Sequence, residues 1–147
     1  MKGQVAIITG GSRGIGLAIA HAFRAQGAHV VIASRKAEGL AAARAELLAV
    51  EADGDVHTVV ANAGEPDQAE RCVEETMARF GRLDILVNNA ATNPYYGSTI
   101  DVPPSMFDKT FEVNLRGPLY WAREAHRQGF GDHPGVIING DVTDIFG

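Results

Sequence analysis

A glycine-rich turn near the start of the chain constrains its fold more than any other feature. Residues 5–8 form a continuous apolar run, and the sequence T-G-G-S-R-G-I-G follows from Thr9 to Gly16. The spacing G-x-x-x-G-x-G lets Gly10 make a tight turn, Gly14 admit a phosphate close to the backbone, and Gly16 pack a helix closely. Free amides and the helix dipole would then favour a pyrophosphate there. The alternative is an ordinary strand-to-helix loop, because a glycine turn alone is a weak signal.

Strand-like and helix-like segments alternate along the rest of the sequence. Apolar runs predict strands at 5–8, 28–33, 56–61, 83–87 and 136–139. Periodic apolar positions predict helices between them, including one that Pro66 opens and Gly81 closes, and a longer one from about 104 to 128. The first helix is expected to bury one apolar stripe, made of Ile15, Ala18, Ile19, Ala22 and Phe23. The second is expected to bury Leu40, Ala43, Leu47 and Val50.

This alternation predicts an α/β fold, a doubly wound parallel sheet of the Rossmann type, whose ligands bind at the carboxyl ends of the strands. We expect residues 1–147 to form one dinucleotide-binding domain. The sheet is expected to be truncated after the fifth strand, which would leave an apolar outer edge without a partner.

Composition narrows the classes of partner. Thirteen basic and eighteen acidic residues give a net charge of -5, so no basic patch for nucleic acid or an anionic membrane is expected. No apolar run approaches the roughly 18 residues of a membrane span, and no signal peptide is recognisable, which favours a cytoplasmic location. The single cysteine, Cys72, is expected to be a small buried hydrophobe. The five histidines show no metal-like pairing, so no metal is assigned.

Four motifs, in the same order, resemble the short-chain dehydrogenase/reductase family, and among its members the 3-oxoacyl-ACP reductases. They are T-G-x-x-x-G-I-G at 9–16, N-N-A-A at 88–91 for the family's N-N-A-G, V-N-L-R-G at 113–117 for V-N-L-x-G, and the fifth-strand start at 135–139. The resemblance implies an NAD(P)-dependent oxidoreductase that interconverts small-molecule carbonyls and alcohols. It also implies that Asn114 belongs to a catalytic tetrad, and leaves association with copies of itself or another subunit open.

The charge at the end of the second strand favours NADP(H) over NAD(H). An acidic residue there would repel a 2′-phosphate, but residues 33–36 read A-S-R-K. Arg13 and Arg35 can reach a phosphate and Ser34 can donate a hydrogen bond to it. Alternatively, Arg35 and Lys36 are solvated charges that open the second helix.

Asn62 and Ala63 follow the third strand, where the family has an aspartate and a small apolar residue that contact adenine. The complete set of expected cofactor-binding residues is Gly10, Ser12, Arg13, Gly14, Ile15, Gly16, Ser34, Arg35, Asn62, Ala63, Asn89, Ala90 and Val113.

The sequence departs from the family in its catalytic residues. The family uses a tyrosine with a lysine four residues later, and a serine after the fifth strand. None of Tyr95, Tyr96 and Tyr120 is followed by such a lysine. The serine is expected at about Asp141 or Val142, and Thr143 is the nearest hydroxyl. Asn114 is therefore the only tetrad member present, and it can equally be an asparagine that satisfies a backbone carbonyl.

Three hypotheses about function follow. The chain is an oxidoreductase by descent, or a catalytically dead NADP(H)-binding module that senses the cofactor or pairs with another subunit, or a truncated remnant without function. The four motifs favour the first hypothesis for ancestry, and the missing Y-x-x-x-K pair favours the other two for activity. The sequence does not name a substrate, since the residues that shape that pocket in the family mostly lie beyond the fifth strand.

Overall fold

Five parallel strands form one sheet in the computed structural model, which describes residues 1–131 and 133–140. The strands are β1 (Val5–Thr9), β2 (His29–Ser34), β3 (Val56–Val60), β4 (Ile85–Asn88) and β5 (Val136–Asn139). Their order across the sheet is β3-β2-β1-β4-β5, so the chain winds outward from β1 in one direction and then in the other. The predicted doubly wound α/β fold is confirmed.

Helices cover both faces of the sheet. They are α1 (Gly14–Ala25), α2 (Ala37–Ala49), α3 (Pro66–Phe80), α4 (Pro104–Phe111) and α5 (Gly117–Glu124), with a 3₁₀ turn at Thr99–Asp101. Side chains alternate along each strand, so Ile7 belongs to the core beneath α3 and α5, and Ile8 to the core beneath α1 and α2. Near-continuous apolar strands are typical of parallel sheets that are buried on both faces.

The long helix predicted from about 104 to 128 runs to Phe130 and contains two π-helical segments, Glu112–Arg116 and Ala125–Phe130. Pro118 explains the first of them. A proline has no N–H, and its ring collides with the carbonyl four residues earlier, here that of Asn114, in a regular α-helix. Widening of the helix just before Pro118 relieves that collision. Such segments often lie at functional sites.

The buried face of α1 differs from the predicted stripe. Ile19 and Phe23 pack partly buried against the core as predicted, whereas Ile15 is 75% exposed and Ala18 and Ala22 are also exposed. The residues that α1 buries are Gly16, Ala20 and Arg24, which recur every four positions. Apolar periodicity missed this face because it begins with a glycine and ends with a charged residue.

Arg24 is buried because backbone carbonyls surround its guanidinium. It donates to the carbonyls of Leu47 at 2.6 Å, Gly54 at 2.8 Å and Ala52 at 3.0 Å, and also to that of Val50. These groups lie at or just beyond the end of α2, where helical carbonyls lack partners of their own. Arg24 thus caps the C-terminal end of α2. Val50, which was predicted to be buried, lies at this helix end and is half-exposed.

Asp84 joins β1 to the segment that leads into β4. It is 5% exposed, its Oδ2 accepts from the Val5 amide at 2.8 Å, and Arg82 donates to both of its oxygens at 2.9 and 2.6 Å. Burial opposes ionisation, but these hydrogen bonds outweigh it and hold the pKa of Asp84 below its ordinary value. Asp84 is therefore a structural residue that ties β1 to the start of β4.

The two edge strands of the sheet differ in how far other residues contact their outer edges. On β3, Arg44 donates to the Val56 carbonyl at 3.3 Å and Arg71 to the Val60 carbonyl at 2.6 Å. On β5, the side chains of 136–138 are exposed, and within the described residues no strand lies on its outer side.

A helix that could span a membrane would need a long apolar stretch, and no helix in the described ranges has one.

Candidate functional site

The turn between β1 and α1 presents a row of free amides. Gly10 and Gly11 donate to the Ala33 carbonyl at 2.8 and 3.3 Å, which fastens the start of the turn to the end of β2. Beyond them, the amides of residues 12–16 donate no hydrogen bond to any described residue. Consecutive unpaired N–H groups at the start of a helix attract an anion. The unpaired amides lie where the glycine spacing predicted an anion site, and the binding of an anion there stays a prediction.

Three glycines shape this turn for different reasons. Gly10 and Gly14 have φ of +67° and +54°, the left-handed region that favours glycine. A Cβ on Gly10 would lie 2.9 Å from Asn89 Nδ2, and one on Gly16 would lie 2.5 Å from both Asn89 Nδ2 and the Gly10 carbonyl oxygen. A Cβ on Gly14 would meet nothing within 4 Å. Gly16 therefore packs beneath the turn and against the end of β4, while Gly14 faces open space.

Thr9 and Asn89 bind the turn to the end of β4. The Thr9 hydroxyl accepts from the amides of Asn89 and Ala90, both at 3.0 Å, and donates to the Val87 carbonyl at 3.3 Å. Asn89 Nδ2 donates back to the carbonyls of Thr9 and Gly10 at 3.0 and 3.4 Å. Thr9 was absent from the predicted site residues, although its place just before the first glycine of the motif was the signal for it.

A cleft of about 310 Å³ opens above these strand ends. It brings together all of the predicted cofactor-binding residues except Gly16, which packs underneath. The cleft also includes residues that the sequence did not single out: Thr9, Ala33, Ala61, Ala91, Thr92 and Trp121. No acidic side chain is among the described residues that line it.

One end of the cleft is rich in hydrogen-bond donors. Ser12 Oγ and Ser34 Oγ lie 2.9 Å apart and form a hydroxyl pair between the turn and the end of β2. Arg13 and Arg35 flank this pair, are exposed, and form no ion pair with any described carboxylate. Two unpaired guanidinium groups beside two hydroxyls can hold a phosphate.

Another wall of the cleft is the loop after β3. Asn62 orders this loop: its Oδ1 accepts from the Gly64 amide at 3.2 Å, and its carbonyl accepts from the Glu65 amide at 3.1 Å. The carbonyl of Ala63 accepts from Trp121 Nε1 at 3.1 Å. Trp121 was not predicted at the site, since its contact spans 58 residues of sequence.

Asn114 lies in the first π-helical segment, beside a second cleft of about 480 Å³. Its Oδ1 accepts from the Thr92 amide at 2.8 Å, and its Nδ2 donates to the Thr92 carbonyl at 2.9 Å. The neighbouring Val113 lines the first cleft instead. The prediction that this asparagine can satisfy a backbone carbonyl is thus seen in the structure.

Asparagines from β4 and β5 also line the second cleft. Asn88 Nδ2 donates to Asn139 Oδ1 at 2.9 Å, while the buried Asn88 Oδ1 has no partner among the described residues. None of the tyrosines or lysines of the chain is among the described residues that line either cleft. The positions discussed for the family's serine, Asp141, Val142 and Thr143, lie outside the described residues.

Cys72 is fully buried on α3, and burial raises the pKa of its thiol to about 12. This agrees with the predicted small buried hydrophobe. Among residues 1–131 and 133–140, no three histidine, cysteine or acidic side chains come together as a metal site would require.

Comparison with known proteins gives a consistent result. The sequence model of the family described as short chain dehydrogenase matches residues 4–141. Human dehydrogenase/reductase SDR family member 4 is 39% identical over 148 residues, covering 97% of this chain and 51% of that protein. Versicolorin reductase 1 of Aspergillus parasiticus is 40% identical over 128 residues, covering 86% and 48%. The chain spans about half the length of these relatives.

Solved structures share the same architecture. A metagenomic short-chain oxidoreductase in complex with NADP matches with a TM-score of 0.83 and 34% identity, over 94% of this chain and 62% of the other. Levodione reductase matches with a TM-score of 0.89 and 32% identity, over 95% of this chain and 54% of the other.

Proposed function

Because this chain belongs to the short chain dehydrogenase family, we propose that the first cleft binds NADP(H), in preference to NAD(H). The observation that carries this proposal is the pairing of two features in one cleft. Unpartnered amides at 12–16 lie beside a hydroxyl pair and two guanidinium groups that have no acidic partner in the described part of the chain.

The turn between β1 and α1 fits the pyrophosphate. Five consecutive amides without partners supply donors, and the helix dipole adds positive potential at the same point. The open space over Gly14 leaves room for a phosphate against the backbone. Contacts from Thr9 and Asn89 hold the turn in this shape before any ligand arrives, which reduces the entropic cost of binding.

The end of β2 fits the 2′-phosphate that distinguishes NADP from NAD. Arg13, Arg35 and the hydroxyl pair of Ser12 and Ser34 supply charge-assisted hydrogen bonds, and no lining carboxylate among the described residues would repel the phosphate. The alternative, that Arg35 is only a solvated charge, predicts no difference between the two cofactors.

Asn62 and Ala63 fit the adenine, and Asn89, Ala90 and Val113 line the same cleft. Asn62 Oδ1 has a second lone pair beyond its bond to the Gly64 amide, and Asn62 Nδ2 has no partner among the described residues. The amide can therefore still donate to and accept from an adenine edge. These assignments follow the family's motifs onto residues that line one cleft.

NADPH, when bound, would supply a hydride to the carbonyl carbon of a small-molecule substrate. The carbonyl oxygen then needs a proton, and the sequence offers no Y-x-x-x-K pair to deliver it. Asn114, the retained tetrad residue, is engaged with the Thr92 backbone through both polar atoms of its amide. We therefore propose that these 147 residues bind the cofactor but do not reduce a carbonyl by themselves.

Among the three hypotheses, the structure favours a binding module of oxidoreductase descent. A remnant without function is less consistent with a cleft that keeps the Thr9–Asn89 hydrogen bond and the Ser12–Ser34 hydroxyl pair. Phe107, Phe111, Leu115 and Leu119 recur every four residues and are exposed, which supports association with another subunit. A cytoplasmic location remains part of the proposal.

Titration with NADPH tests the proposed function. Trp121, the only tryptophan, lines the cleft, so quenching of its fluorescence reports binding directly. We expect saturable quenching by NADPH, weaker quenching by NADH, and a melting temperature that rises only with bound cofactor. Absence of saturable binding in a protein that melts cooperatively would refute the proposal, and turnover with a panel of ketones would refute its catalytic part.

A further inference from the structure

The loop after β3 keeps one backbone N–H without a partner. The amide of Asn62 donates to Gln68 Oε1 at 2.7 Å, and those of Gly64 and Glu65 donate to Asn62. The amide of Ala63, between them, donates to no described residue, although Ala63 lines the first cleft. Every neighbouring amide is used to build the loop, so the Ala63 N–H is the donor that the loop leaves for a ligand.

The carbonyl of the same residue is held firmly by α5. Trp121 Nε1 donates to the Ala63 carbonyl oxygen at 3.1 Å, and Trp121 itself is only 1% exposed. Gly117 lies one helical turn earlier, and a Cβ there would lie 2.5 Å from the same oxygen. The Ala63 carbonyl oxygen thus fits into the space that the missing side chain of Gly117 leaves, and Trp121 hydrogen-bonds it there.

A second contact fixes the next residue of the loop. A Cβ on Gly64 would lie 2.6 Å from Glu112 Oε1, and Lys109 holds that carboxylate oxygen at 2.5 Å. The long helix therefore contacts consecutive residues of the loop from two of its own turns. A loop held in this way has little freedom to move its remaining free amide.

We propose, on the basis of the proposed NADP(H) site, that Trp121 is a positioning residue that holds the Ala63 amide in place to donate to a ring nitrogen of the adenine. The indole touches the loop rather than the cofactor's hydrogen-bonding edge, so its effect passes through the Ala63 peptide groups. The chemistry makes this specific for the base. Adenine N1 accepts a hydrogen bond, whereas hypoxanthine carries a proton on that nitrogen, so a fixed N–H donor would meet another donor.

Isothermal titration calorimetry with NADPH and with its analogue that carries hypoxanthine in place of adenine tests this role. The wild-type chain should bind NADPH about tenfold more tightly than the analogue, since the N1 acceptor becomes a donor that faces the Ala63 amide and the 6-amino group becomes an oxo group. Trp121→Phe keeps an aromatic ring in the core but removes the indole N–H. We expect it to reduce the preference for adenine to about threefold or less, mainly by weakening NADPH.

Two further variants keep the test decisive. Gly117→Ala places a methyl group against the Ala63 carbonyl oxygen and should reduce the preference in the same way, which decides the matter if Trp121→Phe does not fold. Tyr120→Phe alters a neighbouring aromatic residue that lines neither cleft and should leave the preference unchanged.

The outcomes separate the two proposals. Wild-type binding with an unchanged preference in Trp121→Phe and Gly117→Ala would overturn the positioning role and leave the NADP(H) site standing. An equal loss of affinity for both ligands would indicate a merely structural role and would also overturn it. Absence of NADPH binding to the folded wild-type chain would overturn the proposed function itself, and the positioning role with it.

Discussion

The side-chain amide of Asn114 and the backbone of Thr92 exchange two hydrogen bonds, one through each polar atom of the amide. Thr92 follows the N-N-A-A motif after β4, so this exchange ties the loop that lines both clefts to the π-helical segment. In this chain Asn114, which the family resemblance implied to be catalytic, therefore holds the loop after β4 against the long helix.

We expect Asn114→Ala to lower stability by about 1–3 kcal/mol, because the variant leaves two backbone groups of Thr92 without partners. Thermal and denaturant unfolding of the variant and the wild type measure this. Ser105→Ala, at an exposed position of α4, is the matched control and should change stability by less than about 0.5 kcal/mol. A fully stable Asn114→Ala chain would contradict the architectural role.

Arg35→Asp should weaken NADPH binding about 10- to 100-fold and leave NADH binding unchanged or stronger, since it replaces a phosphate donor with a repelling charge. Lys36→Asp makes the same change of charge one residue later, at a position that does not line the cleft, and serves as the control. The Kd values of both cofactors for both variants give the answer. Equal weakening by the two substitutions would point to long-range charge rather than to a phosphate contact at Arg35.

Stability should depend on pH through Asp84. Its pKa in the folded chain is below the ordinary value of 3.8, so ionised Asp84 stabilises the fold above that pH. This contribution disappears as the pH falls through the lowered pKa. Asp84→Asn should therefore cost about 1–3 kcal/mol at pH 7, and the difference from wild type should shrink below about pH 4.

Melting curves between pH 3 and pH 7 measure the Asp84 effect. Asp53→Asn is the control, because the Asp53 pair with Lys2 is highly exposed and exposed pairs contribute little. A difference between Asp84→Asn and wild type that stayed constant down to pH 3 would show that ionisation of Asp84 does not stabilise the fold.

Cys72 should resist thiol reagents in the folded chain. With a pKa of about 12, only about one thiol in ten thousand is ionised at pH 8, and the side chain is buried as well. The rate of reaction with a disulfide reagent, followed with and without denaturant, tests this. Rapid labelling of native protein would mean that α3 opens more readily than its packing indicates.

The fold was predictable because its signals are local. Apolar runs and glycine turns placed β1 to β5, and Pro66 and Gly81 marked the ends of α3. The order β3-β2-β1-β4-β5 comes from the structure, because right-handed connections are compatible with more than one order of a doubly wound sheet.

The site was predictable only where a motif carried it. The glycine turn and the residues after β2, β3 and β4 could be predicted, because strand ends of a parallel sheet meet at one edge. Trp121 and Thr92 could not be, since their partners lie 58 and 22 residues away and no spacing rule connects them. Arg24 was missed for another reason: apolar periodicity ignores a charge that carbonyl groups satisfy.

The unequal edges of the sheet set a direction for growth. Guanidinium groups occupy two carbonyls of β3, whereas the described part of the chain places nothing against β5. A strand that joined the β3 edge would have to displace these two hydrogen bonds, whereas one that joined β5 would displace none from the described residues. Any further strand of this sheet would therefore join more readily beside β5 than beside β3.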